Sequence, residues 1–475
     1  MKTTEIELSF LLSSMQVCGS QFSNKEFLTW IKERRNSVAV KIKLVPFSNL
    51  KKWKFEDIKG NLVHESGKFF GIEGIKINTN WGNIASWTQP IINQPEIGFL
   101  GIITKKINGI LHFLMQAKIE PGNINFVQLS PTLQATKSNY SRIHGGKSPL
   151  YLEYFNGEKK VEILLDQLQS EQGSRFLKKR NRNMIIEVKE DIPIYDDFCW
   201  LTLGQIKSLI SLDNLVNMDT RTVISGISYG SFHKMSADFK KFLDDGEFSN
   251  FGEKMFYSAL SSENTEKSIE GIISWITNLK SKYELDLERI PLIDVKDWII
   301  TDSEIHHIKQ KYFSVIGVNI FIENREVINW SQPIVKSAQE GLIGFIVKEI
   351  NGIYHFLIQA KIEAGNFDIL ELAPTVQCLT GNYRKGENEY EVPFINEILS
   401  TPKENIIFKT YQSEEGGRFY REQNLSMIVK ASDDFPETIP ENYCWFSLNQ
   451  LFTFIKFNNY LNIQARSLIS SVRFK

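Results

Sequence analysis

Cysteine is scarce in this chain of 475 residues. The four present, Cys18, Cys199, Cys378 and Cys444, form no C-x-x-C pair and no Cys/His cluster with zinc spacing. That excludes a disulfide framework and points to reduced thiols in a cytoplasm. An excess of one charge is missing too. Lys plus Arg number 55 against 56 Asp plus Glu, so the net charge of −1 offers no global positive field for nucleic acid or an anionic membrane. A local basic site for a small anion is still allowed. No run of about 18 apolar residues occurs, so no membrane span is expected. The opening MKTTEIELSFLLSS carries Glu5 and Glu7 where a signal peptide has no acids. There is no G-x-G-x-x-G after a strand, no Walker A sequence and no H-E-x-x-H, which argues against a nicotinamide enzyme or a P-loop hydrolase.

What is present is the composition of a folded protein. Hydrophobic residues make up 42% and charged residues 23%, and 33 Phe with 9 Trp can fill more than one core. At roughly 150 residues per domain the length allows about three domains or two large ones. An internal duplication decides for two. Asn108–Tyr140 aligns without a gap to Asn351–Tyr383 at an offset of 243, with 19 of 33 positions identical. The same offset aligns Trp87-Thr-Gln-Pro with Trp330-Ser-Gln-Pro, and Gln169-Ser-Glu-Gln-Gly-Ser-Arg-Phe with Gln412-Ser-Glu-Glu-Gly-Gly-Arg-Phe. After a two-residue shift, Asn217, Arg221 and Ser225 match Asn462, Arg466 and Ser470. A solenoid repeats every 20–50 residues or so; this is a duplicated domain. We expect a first unit over 1–230, then a helical connector and second unit over 231–475.

Each unit reads as a leading helix (Phe27–Arg35 in the first) followed by strands. Those are expected at Phe70–Ile77, Phe99–Lys106, Leu111–Ile119 and Phe126–Leu129. Asn108-Gly109, repeated as Asn351-Gly352, predicts a type I′ hairpin turn. A helix is expected over Gln167–Arg182, then a strand over Met184–Val188. A final helix should start with Thr202 as its N-cap and bury Leu203, Ile206, Leu209 and Ile210. Strands with outer helices fit either α+β or α/β; periodicity alone does not separate them.

Polar residues that recur are more informative than recurring core residues, because exposed polar positions tolerate exchange. Gln116, Lys118 and Glu120 recur as Gln359, Lys361 and Glu363 and share one strand face. They can line a cleft. Ser170, Glu171, Gln172, Gly173, Ser174 and Arg175 recur as Ser413, Glu414, Glu415, Gly416, Gly417 and Arg418. Small residues admit an anion close to backbone N–H groups, and the arginine adds a fork for phosphate. Trp87 and Trp330 fit either a stacking wall for a base or sugar, or a core position. Asn139-Tyr140 and Asn382-Tyr383 offer hydrogen bonds to ligand hydroxyls. Asn217, Asp219 and Arg221 are possible polar wall residues. His112 and His355, mid-strand among apolar residues, read as satisfied core histidines. His64 is open to acid–base work, and its counterpart His307 lies in a His-His pair.

The segments MQAKIEPGN, VQLSPTLQATKSNY, LQSEQGSRFLKKRNRNM, WLTLGQI and DNLVNMDTRTVIS together resemble the NDP-hexose 2,3-dehydratase family, over Trp87–Ser225 and again Trp330–Ser470. The resemblance implies an α+β fold of two tandem Nudix-like domains, a homodimer, and a nucleoside-diphosphate 4-keto-6-deoxyhexose as substrate. It implies a hydro-lyase reaction that expels the C2 hydroxyl as water and hands a 3,4-diketo-2,6-dideoxy sugar to a downstream 3-ketoreductase. A working Nudix box needs more helix carboxylates than Glu171 or Glu414-Glu415 supply, so no metal is expected. The expected reading is that hydrolysis was lost and a diphosphate seat kept.

The reaction needs no cofactor, because the C4 ketone acidifies the C3 proton. It needs a base, a donor to the enolate oxygen and an acid near C2. The candidates for acid or base are His64, Tyr140 and Glu171, or His307, Glu414 and Tyr383. Gln116, Lys118, Gln359 and Lys361 are candidate enolate donors. The competing expectation is a non-catalytic nucleotide-sugar-binding protein of the same fold.

Overall fold

The computed structural model describes residues 2–18, 21–136, 148–230, 250–323, 327–378 and 392–474. After the helices Lys2–Met15 and Asn24–Asn36, the first half continues with strands β1 (Val40–Val45), β2 (Trp53–Phe55), β3 (Leu62–His64), β4 (Gly71–Thr79), β5 (Ser86–Asn93), β6 (Gly98–Ile107), β7 (Ile110–Ile119), β8 (Val127–Ser130), β9 (Leu133–Ala135), β10 (Glu162–Ser170), β11 (Arg180–Glu187) and β12 (Phe198–Thr202). It closes with the helices Leu203–Leu209 and Met218–Ser225. The second half repeats the order. Helices Asn250–Leu260 and Ile269–Lys282 precede β13 (Leu285–Ile290), β14 (Trp298–Ile300), β15 (Glu304–His307), β16 (Phe313–Ile322), β17 (Asn329–Ser337), β18 (Gly341–Ile350), β19 (Ile353–Lys361), β20 (Glu371–Ala373), β21 (Val376–Cys378), β22 (Ile406–Ser413), β23 (Gln423–Lys430) and β24 (Tyr443–Ser447), and the helices Leu448–Phe454 and Ile463–Ile469 end it. The class is α+β.

Local chemistry accounts for the elements. Asn108 and Gly109 sit at φ 51° and 80°, and Asn351 and Gly352 at 53° and 83°, the paired left-handed conformations of the hairpin turn. Thr202 caps its helix by a reciprocal pair of bonds with Gln205, and Ser447 and Gln450 do the same in the second half. His112 and His355 are buried in the sheet, each with Nδ1 at a carbonyl two residues back, and burial lowers their pKa.

Each half contains one seven-stranded mixed sheet. The order is β10-β11-β6-β7-β12 with β8 on β7 and β9 on β6, and the second half matches it strand for strand. β6 and β11 run parallel, as do β18 and β23. The two five-stranded sheets are built differently. β1 leaves its own half and pairs antiparallel with β16 over Val40–Val45, while β13 pairs with β4 over Leu285–Ile290. The halves therefore trade an edge strand reciprocally. The sequence of β1, VKIKLV, suits this place, with apolar residues on one face and Lys41 and Lys43 on the other.

The segment Gln167–Arg182 corrects the expectation of a helix. It is strand, turn and strand: β10 and β11 pair antiparallel from Glu162 to Glu187, and residues 171–179 connect them. A single turn is all the helix there is, where the Arg175 and Phe176 N–H groups reach the Gln172 carbonyl at 3.0 and 2.9 Å. The reason is in the residues. Leu168, Phe176 and Leu177 are the only apolar positions in that stretch, too few for a helical stripe, while the alternation continuing from Leu165 pairs well in a ladder. The relic Nudix-box helix inferred for this segment is absent.

These turns join the halves. The Gly122 N–H donates to the Gly416 carbonyl at 2.7 Å, and the Gly365 N–H to the Gly173 carbonyl at 2.6 Å. A Cβ on Gly122 would lie 1.7 Å from the Phe419 carbonyl oxygen, and one on Gly365 1.8 Å from that of Phe176. Deeper in the seam, buried Arg221 donates to the Ser413 carbonyl at 2.6 Å and to the Ser467 hydroxyl at 2.8 Å. Arg466 answers with Thr222 at 2.9 Å and the Ser170 carbonyl. The repeated arginines are thus the pins of an internal interface.

Gly122→Ala should lower the urea-unfolding free energy by about 1–3 kcal/mol, the cost of overpacking against backbone. Gly271→Ala, on a helix where a Cβ meets nothing closer than 3.6 Å, should raise it by about 0.5–1 kcal/mol. Equal effects of the two would show that the seam is not rigid.

Candidate active site

A cavity of about 250 Å³ opens between the two sheets of the first half and is closed by two segments of the second. That is near the lower end of the roughly 300–1,000 Å³ usual for ligand pockets. β7 supplies Lys118, with Glu120 just beyond the strand. Lys118 donates to the Gln134 carbonyl at 2.9 Å, and the Gln134 amide donates to Glu120 at 2.7 Å. Asn217 reaches the Gln134 side-chain oxygen at 3.3 Å and fixes which way that amide faces. This chain explains why Lys, Glu, Gln and Asn recur at these positions.

The β10–β11 turn contributes Glu171, and β11 contributes Asn181, which donates to Glu171 at 2.6 Å. Lys179 sits between them and donates to the Glu96 carbonyl. From the second half come Trp330, at the start of β17, and the turn residues Glu415, Gly417 and Arg418. The Trp330 indole N–H donates to Gln332 at 2.9 Å, and Gln332 in turn holds the Gly417 carbonyl at 2.6 Å. The repeated Trp-x-Gln motif is a strut that sets a wall tryptophan against the neighbouring turn. Arg418 lies over the Phe70 ring at 4.1 Å and donates to Gln94 at 3.1 Å.

Four carboxyl groups therefore meet three cations, all of them largely buried. Burial raises Glu171, with Arg466 and Lys179 opposing it. Burial pushes Glu415 up to about 8, countered by Arg418 and reinforced by Glu120 and Glu171. Asp219, in the first turn of its helix, is raised well above the usual carboxylate range by burial and by Glu120, Glu415 and Glu171. Lys179 is drawn down to about 8 by burial, against the pull of Glu171. Such displaced groups are suited to proton transfer near neutral pH. Among the described residues no group of three or more His, Cys, Asp or Glu is placed to hold a metal ion.

The residues expected from sequence divide between this cavity and other places. Glu171, His64, Lys118, Trp330, Glu415, Gly417 and Arg418 line it. His64 stands at the edge, its Nδ1 2.8 Å from the Ser66 hydroxyl. Ser170 and Ser413 are buried in the seam and donate to Glu371 and Gln128 at 2.8 Å each. Gly173 and Gly416 abut Asn366 and Asn123 of the opposite half. Gln116 is half-buried on β7, and Gln359 donates to the Tyr443 hydroxyl at 2.8 Å. Gln172 and Glu414 bond one another across the halves at 3.1 Å. Arg175 covers Phe313 at 4.3 Å as Arg418 covers Phe70, and the Trp87 indole and Gln89 are joined at 2.9 Å with Gln89 reaching the Ser174 carbonyl at 3.2 Å. Lys361 ends β19 as Lys118 nears the end of β7, and it favours the charged form of the neighbouring Glu363. His307 makes an edge contact with Trp298 in the second half's small sheet, as His64 does with Trp53. Asn139, Tyr140, Asn382 and Tyr383 lie outside the described residues.

Lys179 escaped the sequence reading because that reading weighted recurrence and Lys179 is replaced by Glu422; Asn181 does recur, as Asn424, but stands in a run whose flanking residues all change between the halves. The signal for them is the hairpin itself, which sets Lys179 opposite Glu171 (N–H to carbonyl, 2.9 Å). Gly226-Ile-Ser228-Tyr-Gly230 fits G-x-S-x-G, yet it follows a helix, and Ser228 accepts from the Gly230 N–H at 3.3 Å. It lacks the strand–turn–helix setting of a hydrolase nucleophile.

A family model described as NDP-hexose 2,3-dehydratase matches residues 24–227 and again 269–472, the two halves just described. The chain belongs to the NDP-hexose 2,3-dehydratase family. A curated protein of Saccharopolyspora spinosa named dTDP-4-dehydro-6-deoxy-alpha-D-glucopyranose 2,3-dehydratase is 43% identical over 463 residues, covering 98% of this chain and 94% of its own. Proteins of the same name from Amycolatopsis orientalis and Streptomyces violaceoruber are each 39% identical, over 466 and 456 residues, covering 97% and 94% of this chain and 92% and 96% of theirs. The NDP-hexose 2,3-dehydratase match includes both turns and the whole cavity wall, so the geometry above belongs to the family region and not to an appendage.

The buried carboxyls give the ligand-free protein a pH signature. Glu415 keeps a proton when folded up to about 8, whereas the unfolded chain releases it near 4.5, the ordinary value of a glutamate. Stability is thus fully present below about 4.5 and declines as pH rises to about 8, on the order of 1 kcal/mol per pH unit for such a group. Glu415→Gln should make the slope of unfolding free energy against pH shallower in that window. An unchanged slope would mean that Glu415 is ionised in the fold.

Proposed function

We propose that this chain is a hydro-lyase acting on a dTDP-4-keto-6-deoxyhexose, expelling the C2 hydroxyl as water to leave a 3,4-diketo-2,6-dideoxy sugar nucleotide. The observation that carries the reading is the single cavity in which carboxyl groups poised for proton transfer share a wall with lysines, an arginine and a tryptophan. The near full-length likeness to three proteins named for this reaction supports it.

The residues divide the work as follows. Lys179 and Arg418 supply positive charge for the diphosphate. Trp330 offers an aromatic face to the nucleotide or the sugar. Glu171 is the base for the C3 proton: burial makes it basic enough, and Lys179 and Asn181 stabilise its ionised form. Lys118, steered by the Gln134 carbonyl, donates to the enolate oxygen that forms at C4. His64 guards the edge of the pocket. The second half retains the framework with Glu422 in place of Lys179, so turnover is assigned to the first-half cavity. The diketone is reactive and is passed to a 3-ketoreductase. The enzyme works in the cytoplasm as a homodimer; no described helix is long and apolar enough to cross a membrane.

Purified protein incubated with dTDP-4-keto-6-deoxyglucose, a 3-ketoreductase and NADPH should consume NADPH and yield a 2-deoxy sugar. No consumption with this or related keto sugars would sink the assignment. Glu171→Gln should lower kcat by about 10²–10⁴-fold. Affinity for dTDP should fall as pH rises through about 8, where Lys179 loses its charge. Lys179→Met should bind dTDP weakly at pH 7 and lose that dependence; a persisting decline would assign it to another group.

A further inference from the structure

Consecutive residues of the two joined turns point to opposite halves. Glu171 faces the first-half cavity, while its neighbour Gln172 crosses to Glu414. Glu414 is held by Asn424 of its own half at 2.6 Å, while its neighbour Glu415 crosses into the first-half cavity. Each half thus receives its own first turn residue and the other half's second. In the first half the set is Glu171, Glu415 and Asp219. In the second the corresponding set is Glu414, Gln172 and Gln464. Two carboxyls of the cavity, and only those two of its four, have amide counterparts; Glu120 and Glu171 recur as Glu363 and Glu414.

An amide can hold the framework together by hydrogen bonds, as Gln172 does, but it has no acidic proton to give. Glu415 and Gln172 are isosteric and Gln464 is one methylene longer than Asp219, so what both exchanges share is the loss of proton-donating capacity. We propose that Asp219 and Glu415, one from each half, act together as the acid that protonates the C2 hydroxyl as it departs. This rests on the dehydratase reading above. The groups facing the pair are Glu120, Glu171 and Lys118 toward Asp219, and Arg418, Glu120 and Glu171 toward Glu415. With so many carboxylates against few cations in a buried site, the pair retains a proton at neutral pH.

The step balances. Glu171 takes the C3 proton, and the C3–H electrons form the enolate. The enolate collapses to a C2–C3 double bond as the C2–O bond breaks, and the leaving oxygen takes a proton from the pair and departs as water. The C3 enol then returns its hydroxyl proton to the pair and takes at C2 the proton held by Glu171. Both groups are restored and one water is lost.

The test uses Asp219→Asn and Glu415→Gln in the full chain with dTDP-4-keto-6-deoxyglucose in D₂O. Each variant should bind dTDP as the wild type does, exchange the C3 proton for deuterium, and dehydrate about 10²–10⁴-fold more slowly. Dehydration at the wild-type rate by either variant overturns the proposal. So does joint loss of exchange and dehydration, which would place the residue at the C3 step or in the framework. Failure of the wild type to dehydrate the sugar refutes instead the dehydratase reading.

Discussion

The contact on which the rest depends is the backbone-to-backbone meeting of two pairs of turns, Gly122 against Gly416 and Gly365 against Gly173. Only residues without a Cβ can come so close, and that closeness lets neighbouring side chains on one turn face opposite halves. Around it the structure places buried arginines, whose guanidinium groups donate to a carbonyl of their own half and to a carbonyl and a hydroxyl of the opposite half. Burial draws Arg221 and Arg466 down to about 10, so they remain charged at neutral pH, and removing a carbonyl partner would strand a buried cation.

On this frame, small substitutions distinguish the first-half cavity from the matching place in the second half. Lys179 and Glu422 occupy matching places on matching hairpins, and so do Asp219 and Gln464. The first-half cavity carries cations and carboxyl groups; the matching place in the second half replaces a cation by an acid and two acids by amides. The backbone need not move for this to happen. The Gln–Glu and Asn–Gln bonds that orient the walls are shared by both halves.

Much of this was legible in the sequence. The Asn-Gly hairpins, the Thr202 cap and the core histidines follow from local rules that leave little to tertiary context. Lys118, Glu120, Glu171, Trp330 and Arg418, which the structure gathers at one cavity, stood out in the sequence because polar residues recurred where packing gives no reason. The same criterion misled at Ser170, Ser413, Gly173 and Gly416. Their recurrence reflects a shared seam, which looks in sequence like a shared ligand site. It also passed over Lys179, because a residue that makes one copy differ cannot recur. The helix expected over Gln167–Arg182 failed for a separate reason: a glycine turn flanked by polar strand ends has no strong period, and the ladder between β10 and β11 is a non-local fact.

The reciprocal trade of β1 and β13 bears on how such a site stays complete. Severed between its halves, the chain would leave β4 and β16 each with a bare edge, a template for sticking to other chains. Glu415 would then reach the pocket only by encounter with a second fragment. Covalent fusion replaces that encounter with an effective concentration fixed by the tether. The enzyme's competence is therefore independent of dilution, as a pair of separate subunits sharing a pocket could not be.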